Sequence, residues 1–142
     1  MIVLDTNVIS EALRARPAEV VGRWIAAHAA LELFTTAICE AEILYGVAVL
    51  PAGRRRDALA QAVTAIFAED LAGRVLPFDS AAAKAFATIA AARRRLGHPI
   101  SEADARIAAI AACNRAVVAT RNVADFANCG IDIVDPWQAS AR

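Results

Sequence analysis

Short apolar runs alternate with longer alanine-rich stretches along almost the whole chain, and this alternation limits the fold more than any other feature of the sequence. Five runs of three or four residues have the composition of strands: residues 2–4, 31–34, 74–76, 116–119 and 131–134. Between them, apolar side chains recur at helical spacing. Strands that alternate with helices predict an α/β domain with a mostly parallel central sheet of about five strands and helices on both faces.

Turn-forming residues set the boundaries of the predicted helices, which lie around residues 8–13, 21–28, 36–50, 59–67, 82–96 and 107–111. Pro51-Ala52-Gly53 and Gly97-His98-Pro99 end two of them, and Ser101 is a good N-cap for the last. Residues 131–133 alternate apolar and polar side chains, which predicts an edge strand. No linker or repeat interrupts the pattern, so we expect a single domain over residues 1–142.

Composition excludes several classes of protein. The 142 residues are 58% hydrophobic, enough for a core, and 15 basic side chains balance 15 acidic ones, so nucleic acid could be met only by a local patch. No apolar run reaches the about 18 residues of a membrane span. The chain also opens directly on a predicted strand, so we expect a cytoplasmic protein rather than a membrane or secreted one. Its three cysteines have no metal-binding spacing and are expected to be reduced and mostly buried.

Two acidic residues follow predicted strands. Asp5 comes directly after the first strand, and Asp125 lies in the loop after the fourth. Ligands of open α/β sheets bind at the carboxyl ends of strands, near the point where the strand order reverses, so both residues are candidates for a site. Alternatively, Asp5-Thr6-Asn7 only caps the helix that follows, and Asp125 is a turn or capping residue.

Two further acidic residues lie on predicted helices. Glu42 shares its helix face with Ile38, Tyr45 and Val49, so we expect its carboxylate to point toward the core side. Asp104 shares a face with Ile107, Ala108 and Ala111. The alternatives are that Glu42 flanks the apolar face and extends into solvent, and that Asp104 belongs to the capping box of residues 101–104, where the helix dipole favours an acid.

These four carboxylates have a chemical use if the fold brings them together. Crowded carboxylates in a partly dry cleft repel one another, which raises their pKa values unless a cation joins them. Mg²⁺ and Mn²⁺ prefer oxygen ligands and keep several waters, and such an ion can activate water for phosphodiester hydrolysis.

Four motifs and the closing segment closely resemble a PIN domain, and specifically the VapC-type toxins of the FitB-like kind: Met1–Glu11, Ala41–Gly46, Ala103–Ala109, Ala119–Phe126 and Asp135–Trp137. The resemblance spans nearly the whole chain. It implies a dimeric ribonuclease that depends on Mg²⁺ or Mn²⁺, acts on RNA and is held inactive by a small cognate antitoxin whose tail occupies the active-site groove.

The resemblance also implies roles for individual residues. Asp5, Glu42 and Asp104 match the family's acidic metal-binding positions. Many relatives have Asp where this chain has Asn122, whereas others supply an acid from the position of Asp125. We therefore assign Asp125 as the fourth acid and Asn122 as a neutral ligand or water-orienting group. Two hydroxyls next to these acids, those of Thr6 and Thr120, could position water or phosphate, or could simply cap.

The two dense basic runs, Arg54–Arg56 and Arg93–Arg95, could contact RNA phosphates, or could be solvated helix ends. The isolated His28 and His98, and the aromatic Trp24, Tyr45 and Phe67, are expected to be structural or to lie at an interface.

Two other functions compete with the ribonuclease. An inactive PIN-like interaction module is conceivable because Asn122 replaces an acid. A haloacid-dehalogenase-like phosphohydrolase also begins with a strand that ends in Asp, but its second Asp is replaced here by Asn7, and Lys84 lacks that family's setting. Metal-dependent cleavage of RNA, as against small phosphate esters, separates the three functions.

Overall fold

A five-stranded parallel sheet forms the centre of the fold in the computed structural model, which describes residues 1–139. Its strands are β1 (Ile2–Leu4), β2 (Leu33–Thr36), β3 (Val75–Leu76), β4 (Val117–Ala119) and β5 (Ile133–Val134). The strand order is β3-β2-β1-β4-β5, and every pair is parallel. The α/β prediction is therefore confirmed, with β5 at an edge as expected. Because the chain moves outward from β1 to β3 and then returns to the other side of β1, the strand order reverses between β1 and β4.

Six α-helices connect the strands and cover the sheet: α1 (Thr6–Ala12), α2 (Glu19–Ala26), α3 (Ala37–Ala48), α4 (Arg54–Ala65), α5 (Ser80–Arg95) and α6 (Glu102–Cys113). Buried side chains of α5 and α6 form one apolar cluster on one face of the sheet, and those of α1, α2 and α4 form a second cluster on the other. Val3 belongs to the first cluster and Leu4 to the second, because successive side chains of a strand point to opposite faces. The sheet is therefore buried on both sides.

Polar side chains fix the start of three helices. The Thr36, Asp79 and Ser101 side chains accept hydrogen bonds from backbone N–H groups in the first turns of α3, α5 and α6, at 3.1, 2.9 and 3.1 Å. Gly97 follows the end of α5 with φ of 76°, a left-handed conformation that favours glycine. The predicted N-cap at Ser101 and the predicted stop at Gly97 are both confirmed.

The second strand begins two residues later than predicted. Residues 30–32 form a 3₁₀ turn, and Leu31 is 78% exposed. The strand instead continues through Thr35 and Thr36, which are fully buried. Thr35 is tolerated there because its hydroxyl donates to the Leu4 carbonyl at 2.9 Å, so burial leaves no polar group unsatisfied.

The face assigned to α3 from periodicity is wrong. Tyr45 and Val49 are 70% and 59% exposed, whereas Cys39 and Ile43 form the buried stripe. Apolar residues surround this helix on most sides, so spacing alone could not decide which side packs. Glu42 is exposed and lies beside the buried stripe, so the expectation that its carboxylate points toward the core side is wrong.

The remaining structural expectations can be checked one by one. Cys39 and Cys129 are buried and Cys113 is exposed, and all three are free thiols. The Nδ1 atom of His28 lies 2.7 Å from the Trp24 carbonyl oxygen, which agrees with a structural role for this histidine. Across residues 1–139, no helix combines the length and the apolar character needed to cross a membrane.

Candidate active site

Asp5 lies at the carboxyl end of β1, at the point where the strand order reverses, and only 5% of it is exposed. Its Oδ1 accepts the Thr6 backbone N–H at 2.8 Å, and its Oδ2 accepts the Thr120 hydroxyl at 2.7 Å and the Asn7 amide at 3.2 Å. The residue is the N-cap of α1 and is also a buried, fully oriented carboxylate. The two interpretations left open by the sequence therefore do not exclude each other.

Asn7 and Thr120 join the ends of β1 and β4 around this carboxylate. The Asn7 side-chain NH₂ donates to the Thr120 hydroxyl at 3.1 Å, and the Asn7 Oδ1 accepts the Arg121 backbone N–H at 3.2 Å. The Thr120 hydroxyl also accepts the Asn122 backbone N–H at 3.0 Å. From the sequence, Asn7 was expected only to help cap the helix that follows. Its position two residues after the strand-end acid was the signal available.

Burial and negative charge raise the pKa of Asp5. Desolvation is the largest cause, and the charges of Asp104 and Asp125 add to it, while the hydrogen bonds from Thr120 and Thr6 oppose it. The hydrogen bonds to this carboxylate therefore offset only part of the increase in its pKa. The charges of two acids that are remote in sequence act directly on it.

The pKa values of Glu42 and Asp104 are raised in the same way. Desolvation is the largest cause for each; the charges of Asp5 and Asp104 raise the pKa of Glu42 further, and the charge of Asp125 raises that of Asp104. For Asp104, the Ser101 hydroxyl and the Arg93 charge act in the opposite direction. The fold therefore brings the four predicted acids, from the end of β1, α3, α6 and the segment after β4, close enough that each interacts electrostatically with at least one of the others.

Asp125 lies within a short turn, and Asn122 directly precedes that turn. Asp125 is in the 3₁₀ turn of residues 123–126 and is exposed, and its backbone N–H donates to the Asn122 carbonyl at 3.0 Å. Asn122 precedes the turn, and its backbone N–H is held by Thr120. The turn therefore attaches both residues to the carboxyl end of β4.

The donors of this site suit a hard divalent cation. Within residues 1–139, no three His, Cys, Asp or Glu side chains are arranged so that they could hold a metal ion by themselves. All the converging groups are oxygen donors, however, and their mutual repulsion would be relieved by a cation. The Thr6 hydroxyl is buried and makes no hydrogen bond to another residue in this part of the chain. Oxygen donors that cannot hold an ion by themselves fit Mg²⁺ or Mn²⁺, because these ions retain much of their water shell.

The raised pKa of Asp5 predicts a pH dependence of stability. The ordinary pKa of 3.8 applies to the unfolded chain, so above this pH the folded protein binds more protons than the unfolded chain until it too deprotonates. Over that window the free energy of unfolding falls as pH rises, so the carboxylate destabilises the metal-free fold once it is ionised. In EDTA, as pH rises above about 4, wild type should lose stability more steeply than Asp5→Asn. Urea unfolding at several pH values measures this, and an equal dependence of the free energy of unfolding on pH in the two proteins would contradict the prediction.

A groove of about 720 Å³ adjoins the acidic site between α1, α3 and α4. Thr6 and Glu42 belong to both the groove and the acidic site, and most other lining side chains are apolar or small, with Arg14 and Arg55 as its cations. An elongated apolar partner could therefore lie in the groove and reach the acids.

The two basic runs differ in the structure. Arg93 is only 6% exposed and donates to three backbone carbonyls, so neither alternative left open for its run, contact with RNA phosphate or a solvated helix end, holds for this residue. Its position on α5 directs it inward, whereas Arg94 and Arg95 are exposed. Arg54–Arg56 form the first turn of α4, where Arg55 lines the groove. Contact of that run with RNA stays a prediction.

Comparison with known proteins gives matches along nearly the entire chain. Residues 2–130, which include all four acids, match the family described as PIN domain. The chain is 43% identical over 138 residues to "VapC ribonuclease Y4jK" of Sinorhizobium fredii (strain NBRC 101917 / NGR234), covering 97% of this chain and 99% of the relative. It is 37% identical over 137 residues to "Toxin FitB" of Neisseria gonorrhoeae (strain ATCC 700825 / FA 1090), covering 96% and 99%.

A solved structure described as FitAB bound to an IR36 DNA fragment superposes on this chain with a TM-score of 0.93. The two chains are 36% identical, and the alignment covers 99% of each. The order of strands and helices around the acidic site is therefore shared with a solved protein of the same length.

Proposed function

The chain belongs to the PIN domain family, and from this premise we propose that it is the toxin of a toxin–antitoxin pair and acts as a Mg²⁺- or Mn²⁺-dependent endoribonuclease. One observation carries the catalytic part of the proposal. Four acids from separate parts of the chain converge where the strand order of a parallel sheet reverses, and the charges of Asp5, Asp104 and Asp125 raise the pKa of at least one other acid in the group. Repulsion among these acids destabilises the metal-free protein, and a bound cation is the simplest group that would relieve it.

Asp5, Glu42 and Asp104 are the proposed metal ligands. Asp125 is the fourth acid, because its charge acts on both Asp5 and Asp104, and Asn122 would contribute a neutral ligand or orient water. When bound, Mg²⁺ or Mn²⁺ supplies a water of lowered pKa and neutralises negative charge that develops on the phosphodiester.

Hydroxyl and amide groups prepare the acids for this chemistry. The hydroxyl of Thr120 and the amide of Asn7 hold the Asp5 carboxylate in one orientation, so little reorganisation is needed when substrate binds. The Thr6 hydroxyl has an unused hydrogen-bonding capacity beside Glu42, and we assign it to water or to a phosphate oxygen. The acids nearest the nucleophilic water would accept its proton.

The groove between α1, α3 and α4 is the proposed binding site for a segment of the cognate antitoxin. Its lining is mainly apolar, and it is continuous with the acidic site through Thr6 and Glu42. A bound segment would therefore block access of RNA to the acids. Leu44 and Tyr45 on α3, and Val49 directly after it, are large side chains left exposed in the isolated chain, which supports a homodimer as the working assembly. We propose that the protein acts in the cytoplasm, because the proposed RNA substrate and antitoxin would be met there.

The test of this function is cleavage of RNA by the purified protein with and without a divalent ion. We expect cleavage with Mg²⁺ or Mn²⁺ and none in excess EDTA, because the donors are all oxygen atoms. Denaturing gels of a mixed RNA substrate measure the activity, and a chromogenic phosphate ester serves as the control for a small-ester phosphohydrolase. Undiminished cleavage in EDTA would contradict the metal mechanism, and no cleavage with any ion would favour an inactive interaction module.

A further inference from the structure

Arg93 is a buried cation that the catalytic proposal does not use. It lies near the end of α5 and is 6% exposed. Its Nε donates to the His98 carbonyl at 2.7 Å, and its Nη1 donates to the carbonyls of Asp125 and Ala127, each at 2.8 Å. One guanidinium thus joins the α5–α6 connection to the turn that carries Asp125.

No carboxylate within residues 1–139 forms an ion pair with Arg93. Backbone carbonyls therefore compensate a charge that would be costly to bury alone. The charge of Arg93 lowers the pKa of Asp104. Both segments it touches lead directly to proposed ligands, since Asp104 lies in the first turn of α6 and Asp125 supplies a carbonyl itself.

The turn of residues 123–126 has few other restraints near the acid. Phe126 is buried and anchors the end of the turn, but the Asp125 side chain is exposed, so the backbone of the turn sets where its Cα and Cβ atoms lie. The planar guanidinium donates in two directions from fixed positions, which a lysine ammonium on a flexible stem cannot reproduce.

We propose that Arg93 is a positioning residue for the acidic site: by bridging the His98, Asp125 and Ala127 carbonyls, it holds the turn that carries Asp125 against the α5–α6 connection, which leads into the first turn of α6 and to Asp104. Arg93 does not touch substrate or metal. It acts through the backbone of the turn, as outer-shell groups do around metal ligands. This inference rests on the proposed function only where metal affinity and cleavage are concerned.

The test compares Arg93→Lys and Arg93→Met with matched variants of its exposed neighbour, Arg94→Lys and Arg94→Met, in the full chain. Electron paramagnetic resonance of free Mn²⁺ gives the affinity, and circular dichroism establishes that each variant is folded. We expect Arg93→Met to weaken Mn²⁺ binding about tenfold or more, and Arg93→Lys to weaken it less. For RNA cleavage, kcat should fall while KM changes little. The Arg94 variants should keep wild-type Mn²⁺ affinity.

A double-mutant cycle separates positioning from general destabilisation. If Arg93 acts through Asp125, the loss of Mn²⁺ affinity caused by Arg93→Lys should be smaller in an Asp125→Asn background than in wild type. Equal losses in the two backgrounds, or wild-type affinity in a folded Arg93 variant, would overturn the proposal. If Arg93→Met does not fold, the Arg93→Lys cycle decides alone.

Hydrogen exchange distinguishes this inference from the function on which it draws. Without metal, the amides of residues 122–129 should exchange faster in Arg93→Lys than in wild type or Arg94→Lys. If wild type binds no Mn²⁺ and cleaves no RNA, the proposed function fails, and exchange in this segment alone determines whether Arg93 holds the turn. Unchanged exchange would then overturn the inference as well.

Discussion

Asp5→Asn should abolish the stabilisation that Mn²⁺ gives the wild type and should reduce RNA cleavage by orders of magnitude, without lowering the thermal midpoint measured in EDTA. Asn is nearly as good an N-cap as Asp, so the start of α1 survives the change. The substitution removes a charge that is desolvated and repelled by Asp104 and Asp125. The Asn side chain presents an NH₂ group in place of Oδ2, so the hydrogen bonds that Oδ2 accepts from Thr120 and Asn7 cannot form, which offsets part of that gain at a cost of about 1 kcal/mol each.

Thermal unfolding with and without Mn²⁺, together with cleavage assays, tests this prediction. Asp57→Asn provides a matched control, because Asp57 is an exposed acid in the first turn of α4 and has no part in the site. Equal Mn²⁺ stabilisation and equal cleavage in wild type and Asp5→Asn would show that Asp5 is only a cap. A much lower midpoint in EDTA would show that its hydrogen bonds outweigh the repulsion.

Ala62→Trp should prevent the antitoxin from neutralising the toxin while RNA cleavage by the free protein persists. Ala62 lies on α4, is exposed and lines the groove, and an indole ring there would fill space that the antitoxin segment needs. We expect the affinity for the cognate antitoxin to fall about a hundredfold, which corresponds to about 2.8 kcal/mol. The helix itself should tolerate the change, since the difference in helix propensity is only about 0.5 kcal/mol.

Gln61→Trp is the matched control, because Gln61 is exposed on the same helix but does not line this groove. Expression of either variant alone should arrest growth. Co-expression of the neighbouring antitoxin gene should restore growth for Gln61→Trp and wild type but not for Ala62→Trp. Full rescue of Ala62→Trp, with wild-type affinity for the purified antitoxin, would place the antitoxin elsewhere.

The sequence by itself determined the fold class, and it was enough to propose the four acids. Apolar runs separated by helical stretches can bury their backbone only in a parallel sheet covered on both faces, and the solvent-facing alternation of residues 131–133 marked the edge strand. Asp5 and Asp125 stood out because they follow apolar strands, and Glu42 and Asp104 because apolar residues recur at helical spacing around them. Local capping signals such as Ser101 were equally reliable, since they act within one turn of helix.

Tertiary structure decided what depends on packing between distant segments. The exposed face of α3 and the late start of β2 could not be read from spacing, because apolar side chains occur on most sides of α3 and buried threonines such as Thr35 find partners remote in sequence. Arg93 shows the same limit most clearly. A run of three arginines predicts a solvated, basic helix end, and only the carbonyls that the fold brings to one guanidinium make burial of that charge favourable.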